Sequence, residues 1–336
     1  MSAGHLLQRL LLVVPTLFGV GVIVFVLLRV VPGNPIAMMT PPGASAEDIE
    51  HLKSLYGFDK SVFEQFRLWL GGILRGDFGT SISLRQGVAG LILNRLPATL
   101  ELGLLAAIFS TILCLLLSLT GSYKPRGLWS QMVNMLASVL QAVPDFLWAL
   151  LFILLLGVAW PLFPISGRVD PRLDHGLISQ FYLFESLLRF DGAMALHVLK
   201  HMFLPAMALS LPMAGIVTRL LKTSLSETLK QDYITMAEAR GFSRWHILSK
   251  EALRNAVIPT LTLGGVQLTF LLGGTVLVER IFGYPGIGNM AISAVIQRDL
   301  PLIQGLILTF ALMFIVINLL VDVLYAKLNP RLRNGG

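Results

Sequence analysis

With 336 residues, 55% of them hydrophobic and only 13% charged, the chain carries too little charge for a water-soluble domain, in which about a quarter of the residues are charged. The net charge of +7 would suit a nucleic acid or a membrane surface, and its placement along the chain favours the membrane. The single cysteine, Cys114, lies in an apolar run, which excludes a disulfide framework and a cysteine metal cluster.

Six apolar runs reach the length of about 18 residues that a helix needs to cross a bilayer. The expected fold is therefore an all-α integral membrane protein with six transmembrane helices. The predicted spans are Leu10–Val31, Leu96–Thr120, Gln131–Trp160, His201–Leu220, Ala256–Val278 and Pro301–Tyr325.

A polar region, residues 32–95, separates the first two predicted spans and begins with a stretch rich in proline and glycine. A helix is expected around Ala46–Tyr56 and an amphipathic helix at Val62–Leu74. Such a region could cap a pore or receive a partner, and a passive linker is the alternative. The apolar face of the second helix comprises Phe63, Phe66, Leu70 and Leu74.

The distribution of lysine and arginine predicts the orientation in the membrane. If the N-terminus is cytoplasmic, the inside segments hold thirteen cations against four acids. The outside segments 32–95, 161–200 and 279–300 then hold twelve of each. Both termini are therefore expected in the cytoplasm.

The cytoplasmic segment 225–259 is predicted to form two short helices around a glycine. Gly241 ends the first helix, because glycine accepts the positive φ of a C-terminal turn, and Ser243 is placed to cap the second. Two small residues, Ala237 and Ala239, permit a close approach to another surface. An ordinary amphipathic loop lying on the membrane is the alternative.

An ordered series of motifs runs along nearly the whole chain. The central ones are Asp232-Tyr233-x-x-x-Ala237-x-Ala239-Arg240-Gly241 and Ala252-Leu253-Arg254-Asn255-Ala256-x-x-Pro259. The others are Arg29-Val30-Val31-Pro32-Gly33-Asn34-Pro35, Gly76-Asp77-Phe78-Gly79-x-Ser81, Arg95-Leu96-Pro97-Ala98-Thr99-Leu100-Glu101-Leu102, Pro164-Ile165-Ser166-Gly167-Arg168, Glu279-x-x-Phe282-x-x-Pro285-Gly286-Ile287-Gly288, Arg298-Asp299-x-Pro301 and Asn318-x-x-x-Asp322-x-x-Tyr325-x-x-x-Asn329-Pro330-Arg331.

This series closely resembles the permeases of dipeptide, oligopeptide and nickel ABC importers, and the dipeptide permeases of the B type in particular. The two central motifs resemble the segment through which these permeases couple to their ATPase. Three positions depart from the family pattern: Glu251 stands where histidine is common, Arg240 where lysine is usual, and Asn34 where aspartate is usual.

The resemblance implies a type I ABC importer permease fold. Its parts would be a cytoplasmic N-terminus with the first helix (1–31), a periplasmic region (32–95), a permease domain of five helices (96–326) with a coupling loop (223–255), and a cytoplasmic tail (327–336). The residues implied in ATPase coupling are Asp232, Tyr233, Ala237, Glu238, Ala239, Arg240, Gly241, Glu251, Asn255 and Pro259.

The partners implied by the resemblance are a second homologous permease, two ABC ATPase subunits, an extracytoplasmic substrate-binding protein and the lipid of a bacterial inner membrane, with no nucleic acid. ATP and magnesium would bind to the ATPase subunits, so no cofactor and no catalytic residue are expected in this chain. The sequence agrees, because a phosphate loop ends in Gly-Lys-Ser/Thr and no Gly-Lys pair occurs.

Two glycine-rich stretches are assigned structural roles. Leu263–Gln267 faintly resembles an ATPase signature, but it lies inside an apolar span, where close helix packing is expected. Residues 283–288 could suggest a nucleotide loop, but no strand–helix unit surrounds them. A turn before a short re-entrant hairpin is the expected structure there.

Polar groups inside spans are candidates for a translocation path because lipid makes them costly. Asp145 follows Pro144, which opens backbone hydrogen bonds of the preceding turn. Its carboxylate could meet the ammonium end of a peptide, or it could merely cap a helix broken at the proline. The candidates are Gln141, Asp145, Gln267 and Asn318. Charges near span ends (Arg29, Glu101 and Asp322) are expected to snorkel or to form salt bridges.

His197 and His201 have the spacing of two metal ligands on one helix face, and His175 or Asp191 could supply a third. Simple placement at the membrane interface is the alternative, and no metal is assigned.

The expected cargo is a di- or oligopeptide, with nickel or a metal–chelator complex as the alternative. An ion-coupled secondary transporter is a lower alternative, because it would usually show repeated halves, and no internal repeat is visible. A membrane hydrolase would need a nucleophile–base pair or an acid dyad within its spans, and a channel would need a selectivity filter. The sequence offers neither.

Overall fold

The computed structural model describes residues 3–30, 45, 47, 50, 59–170, 172 and 176–328. Within these residues the chain folds into helices and turns, with one isolated bridge between Thr80 and Gly87. The stretch 31–44 with its Pro-Gly-Asn-Pro motif, most of the helix expected at Ala46–Tyr56, and the final Asn-Pro-Arg motif lie outside the described residues.

The helices follow one another without a sheet in the described ranges. They are α1 Ala3–Val30, α2 Val62–Leu74, α3 Val88–Tyr123, α4 Leu128–Ala142, α5 Asp145–Phe152, α6 Tyr182–Leu188, α7 Gly192–Thr228, α8 Asp232–Ala239, α9 Arg244–Ile281, α10 Ile287–Ile296 and α11 Leu300–Leu328. A π-helical stretch, Ile153–Ala159, extends α5, and another, Ile247–Ala252, lies inside α9.

Four of these helices (α3, α7, α9 and α11) are long and apolar enough to cross a membrane. They confirm four of the predicted spans and extend beyond their bounds. The helix α1 is continuous over 28 residues, but the apolar part whose side chains are described, Leu11–Val26, is too short to count as a full span by itself. The described residues therefore contain four spans, or five when the broken pair α4–α5 is counted.

The predicted span Gln131–Trp160 is occupied by a broken pair of helices. Instead of one straight helix, α4 and the extended α5 form a pair bent by 98°. Val143 has extended backbone angles, because the residue before a proline is disfavoured in the helical region. Pro144 also lacks the N–H that would continue the helix.

Helix α7 forms the centre of the molecule. Its most apolar window is 72% buried, against 11% for the corresponding window of α11. It packs against α3, α4, α5 and α9, and its buried side chains dominate the largest hydrophobic cluster. The predicted close packing at Leu263–Gln267 is confirmed at Gly265, which faces Val321 of α11, whereas Gly264 has no such neighbour.

Helix α2 has the predicted bounds, but its contact face is rotated from the expected one. The ring of Phe66 lies 5.0 Å from that of Phe25 in α1, and Trp69 lies 5.4 Å from the same ring. Phe63 and Leu74 remain 78% and 79% exposed. The aromatic pair three residues apart therefore fixes α2 on α1, while two of the predicted face residues do not take part.

The segment after α2 is attached to the start of α11 through Asp299, which is fully buried. Its Oδ2 accepts hydrogen bonds from Ser81 Oγ at 2.5 Å, Ser83 Oγ at 2.7 Å and Ser83 N at 3.0 Å. Burial alone would raise the pKa of Asp299, but the hydrogen bonds from Ser81 and Ser83 outweigh it and lower the pKa below its ordinary value. Two separate sequence motifs thus meet at one carboxylate.

Candidate coupling and translocation sites

The turn between α8 and α9 has the geometry that the sequence predicts. Gly241 has a φ of +81°, its N–H donates to the Glu238 carbonyl at 2.9 Å, and the Phe242 N–H donates to the Ala237 carbonyl at 3.3 Å. These two bonds define a Schellman motif. Ser243 then accepts a hydrogen bond from His246 N at 3.3 Å and caps α9, as predicted.

One face of α8 packs firmly onto α9. Ile234 and Ala237 are buried in the same hydrophobic cluster as Ile247 of the π-helical stretch. Across the same contact Asn255 Nδ2 donates to the Tyr233 hydroxyl at 2.7 Å. The small residue Ala237 therefore serves packing within the chain, and Ala239, which is exposed, remains free to approach another surface.

The other face of this helical pair carries large apolar side chains in contact with solvent. Met236 is 62% exposed and Trp245 is 49% exposed. Tyr233 and Phe242 are also exposed. The sequence reasoning missed Met236, Phe242 and Trp245 as candidates, although large apolar residues inside a short, charge-rich loop are a signal of a binding surface.

Acidic and basic side chains of the segment lie next to each other, one pair across the turn and one within α9. Arg244 Nη1 lies 3.5 Å from Glu238 Oε1, and His246 Nε2 lies 3.7 Å from Glu251 Oε1. The unusual Glu251 therefore has a basic neighbour within the chain. Asp232 stands in the first turn of α8, where a carboxylate is favoured by the helix dipole.

Pro259 lies deeper in α9, and it has an exposed side chain. A proline at this position removes the donor that would bond the Asn255 carbonyl. The coupling candidates thus form one continuous unit from α8 to the first turns of α9, and Arg240 lies exposed at its turn.

At the bend between α4 and α5, Asp145 is the first residue of α5. Its Oδ1 accepts a hydrogen bond from Phe146 N at 2.7 Å, so one carboxylate oxygen caps the broken helix. The other oxygen points at Gly274 of α9, where any Cβ would collide with it. The absence of a side chain at Gly274 is what lets the carboxylate sit between α5 and α9.

The remaining path candidates are half-buried and lie on separate helices: Gln141 on α4, Gln267 on α9 and Asn318 on α11. Asn318 Nδ2 donates to the Phe314 carbonyl of its own helix at 2.9 Å. Among the described contacts, no hydrogen bond joins these three residues to Asp145. Their role in a path stays a prediction.

A buried polar network connects several of the sequence motifs. Glu101 and Arg168 form an ion pair with an N–O distance of 2.5 Å, and both side chains are less than a tenth exposed. Glu101 also accepts hydrogen bonds from the backbone of Leu183 and Phe184. The expected salt bridge at Glu101 is confirmed. It joins α3 to the segments before and within α6.

A second part of the network orders the glycine-rich turn before α10. Thr99 Oγ1 donates to Glu279 Oε1 at 2.6 Å and accepts from Ile287 N at 2.9 Å. Glu279 Oε2 accepts from Asn289 N at 3.0 Å. The short apolar helix α10 follows this turn, as the hairpin prediction requires.

The two histidines use ring nitrogens in contacts within the protein. His197 Nε2 accepts a hydrogen bond from Asp170 N at 3.2 Å, and His201 Nδ1 lies 3.0 Å from the His197 carbonyl. Asp191 instead caps α7 by accepting from Met194 N, and His175 lies outside the described residues. No group of three metal-ligating side chains occurs in the described part of the chain.

The chain belongs to the family of binding-protein-dependent transport system inner membrane components. Residues 103–334 match this family, and residues 3–103 match its N-terminal region. With its four or five long apolar helices, it is a multi-pass membrane permease.

Named relatives align over nearly their whole length. A di/tripeptide transport system permease protein of Pseudomonas aeruginosa is 36% identical over 97% of this chain and 98% of its own. The dipeptide transport system permease protein DppB of Escherichia coli is 35% identical over 98% of both chains. The oligopeptide transport system permease protein AppB of Bacillus subtilis is 33% identical over 98% of this chain and 99% of its own.

Proposed function

We propose that the chain is the permease subunit of an ATP-driven importer of di- or oligopeptides, working with a second permease, two ATPase subunits and an extracytoplasmic binding protein. The observation that carries the proposal is the helical pair α8–α9, which is folded by its own contacts yet presents Met236 and Trp245 to solvent. The transport systems named for the relatives support peptide as the cargo.

In this proposal α1 is the first of six spans and both termini lie in the cytoplasm. The apolar stretch of α1 supports its place in the membrane, and the excess of cations in the short loops supports the orientation. Region 32–95 then lies in the periplasm, and α8 lies in the cytosol within reach of an ATPase. Six spans enclose too little space for a peptide, which supports a path at the interface between two permeases.

The contacts of α8 suggest how the energy of ATP reaches the spans. Because Ile234, Ala237 and the Tyr233–Asn255 hydrogen bond fasten α8 to α9, a displacement of α8 by the ATPase moves α9 with it. Helix α9 packs on α5, α7 and α11 and touches Asp145 through Gly274. Rigid-body movement of packed elements of this kind is a common basis of switching, and here it would reach the bend between α4 and α5.

The function is tested in a strain that lacks the chromosomal copy of this chain. We expect plasmid-borne wild type to restore ATP-dependent uptake of labelled dipeptides and the variant Met236→Glu to lose it, because the variant places a charge in the proposed apolar contact. Met236→Leu, which keeps an apolar side chain at the same position, is the control and should retain uptake.

A panel of labelled dipeptides, longer peptides and nickel separates the cargo alternatives. Uptake of nickel without any peptide would replace the peptide assignment with the metal alternative. Uptake that continues after depletion of the partner ATPases would contradict the ABC mechanism and favour an ion-coupled transporter.

A further inference from the structure

A cleft of about 1090 Å³ opens between the turn that joins α3 to α4, the C-terminal part of α7 and the start of α9. Glu227 is the only acid among the residues that line it, and six cations accompany it. These are Lys124, Arg126, Arg219, Lys222, Lys230 and Arg244. Of the six, Arg244 is paired with Glu238. The cleft is therefore strongly positive.

The ammonium of Lys222 is held at the wall of this cleft by neutral oxygens. Its Nζ donates to the Ser130 carbonyl at 3.0 Å, to Ser130 Oγ at 3.1 Å and to Asn134 Oδ1 at 2.6 Å. No carboxylate of the described residues forms a salt bridge with it. These bonds fix the position of the charge without neutralising it, so the electrostatic attraction for an anion is retained.

The wall formed by α4 is polar along one stripe and apolar along another. Ser130, Asn134 and Ser138 are spaced by four residues, share one helix face and line the cleft. Gln141 continues the stripe three residues later, toward the bend and Asp145. The adjoining flank is apolar and exposed, with Met132, Met135 and Val139. A polar stripe on a helix that enters the membrane indicates a face toward water rather than lipid.

We propose that this cleft is this chain's share of the water-filled cytoplasmic end of the translocation path between the two permeases, and that Lys222 binds the carboxylate of a peptide as it leaves. The inference rests on the proposed function and adds to it a site and the charged group of the cargo. The cations at the mouth, Lys222 and the polar stripe of α4 all line this one cleft.

The main competing occupant is the headgroup of an anionic lipid. From Ser130 to Ser138 the polar stripe rises eight residues, which corresponds to about 12 Å along a helix. A headgroup site needs polar groups only at the membrane surface, with cations clustered there. The depth of the stripe favours an aqueous path. If a lipid occupied the cleft instead, a cysteine in the stripe would not react with water-soluble reagents.

Thiol modification tests the nature of the cleft in the assembled complex, reconstituted in vesicles with the cytoplasmic side accessible. In a background with the single cysteine replaced, Cys114→Ala, the variants Ser138→Cys and Val139→Cys compare the two stripes. We expect Ser138→Cys to react with water-soluble methanethiosulfonate reagents, and the anionic reagent to react about tenfold faster than the cationic one, because a basic cleft concentrates anions. Val139→Cys should stay unmodified.

Two further measurements assign the charge to Lys222. Lys222→Gln should reduce the preference of Ser138→Cys for the anionic reagent, while the remaining cations of the cleft retain part of it. A dipeptide with a free carboxylate, added from the cytoplasmic side, should slow the modification, whereas the same dipeptide with a C-terminal amide should not. An unreactive Ser138→Cys would show that lipid fills the cleft, and equal rates for both reagents would remove the anion site; either result overturns the inference.

Transport supplies the last readout. With saturating binding protein, Lys222→Gln should lower the maximal rate of dipeptide uptake about tenfold, the size expected for one lost charge-assisted hydrogen bond. Lys222→Arg should restore most of it, and Lys200→Gln at the other end of α7 should have no effect. Unchanged uptake in Lys222→Gln would overturn the inference while leaving the proposed function intact. A wild-type complex that moves no peptide would instead refute the proposed function.

Discussion

At the scale of single residues, Glu101 and Arg168 form a buried ion pair. Removing one member of a buried ion pair leaves the other charge without compensation, which costs about 3–5 kcal/mol. We predict that Arg168→Met destabilises the purified permease by this amount and that the double variant Glu101→Gln/Arg168→Met recovers part of the loss.

The measurement for this ion pair is denaturant or thermal unfolding in detergent. Arg189→Gln, which breaks the more exposed pair of Arg189 with Glu185, should change the free energy of unfolding much less than Arg168→Met does, because solvent screens exposed ion pairs. Equal losses from Arg168→Met and Arg189→Gln would show that the buried pair contributes no more to the free energy of unfolding than the exposed pair does.

Asp299 makes stability depend on pH in a definite direction. Its pKa is lowered in the folded protein, so its contribution is fully present above the ordinary value of 3.8 and is lost as the pH falls through the folded pKa. Asp299→Asn should therefore be less stable than wild type at neutral pH. The difference should shrink below about pH 4, and a difference that is constant from pH 7 to pH 3 would contradict this assignment.

The polar candidate at the bend, Asp145, can be tested without losing its structural role. Asparagine also caps helices well, so Asp145→Asn should preserve the break between α4 and α5 while removing the charge. The translocation-path hypothesis predicts impaired peptide uptake with unchanged thermal stability. Uptake close to that of wild type would leave helix capping as the whole role of Asp145.

At the scale of elements, the turn between α8 and α9 depends on the left-handed conformation of Gly241. A β-branched residue there is strained by more than about 1–2 kcal/mol, whereas asparagine tolerates this conformation. We predict that Gly241→Val loses both ATPase association and uptake and that Gly241→Asn keeps most of both. Co-purification of the ATPase with the tagged permease is the direct measurement.

The elements also show what the sequence could and could not predict. Gly241 and Ser243 were predictable because capping is a local property of a few residues. The bend at Pro144 was visible only as a proline within an apolar run, which does not by itself reveal the 98° angle. The rotated face of α2 depends on where Phe25 of α1 lies. The spacing of apolar residues along α2 does not reveal such a tertiary contact.

At the scale of the whole molecule, composition and apolar runs predicted a membrane protein, and the ordered motifs predicted its family. The pairing of those motifs was beyond the sequence. The meeting of Ser81 with Asp299, of Glu101 with Arg168 and of Thr99 with Glu279 is set by packing between segments far apart in the chain. For the same reason the basic cleft around Lys222 could not be recognised from scattered lysines and arginines.

The central claim is that α8 stands in the cytosol as the contact for a separate ATPase, and a cysteine at position 236 tests it most directly. In the Cys114→Ala background, Met236→Cys should react with a membrane-impermeant thiol reagent only from the cytoplasmic side. It should become protected, and crosslinkable, when the ATPase subunits are present. Modification of Met236→Cys by the reagent added to the outside of intact cells would contradict the account.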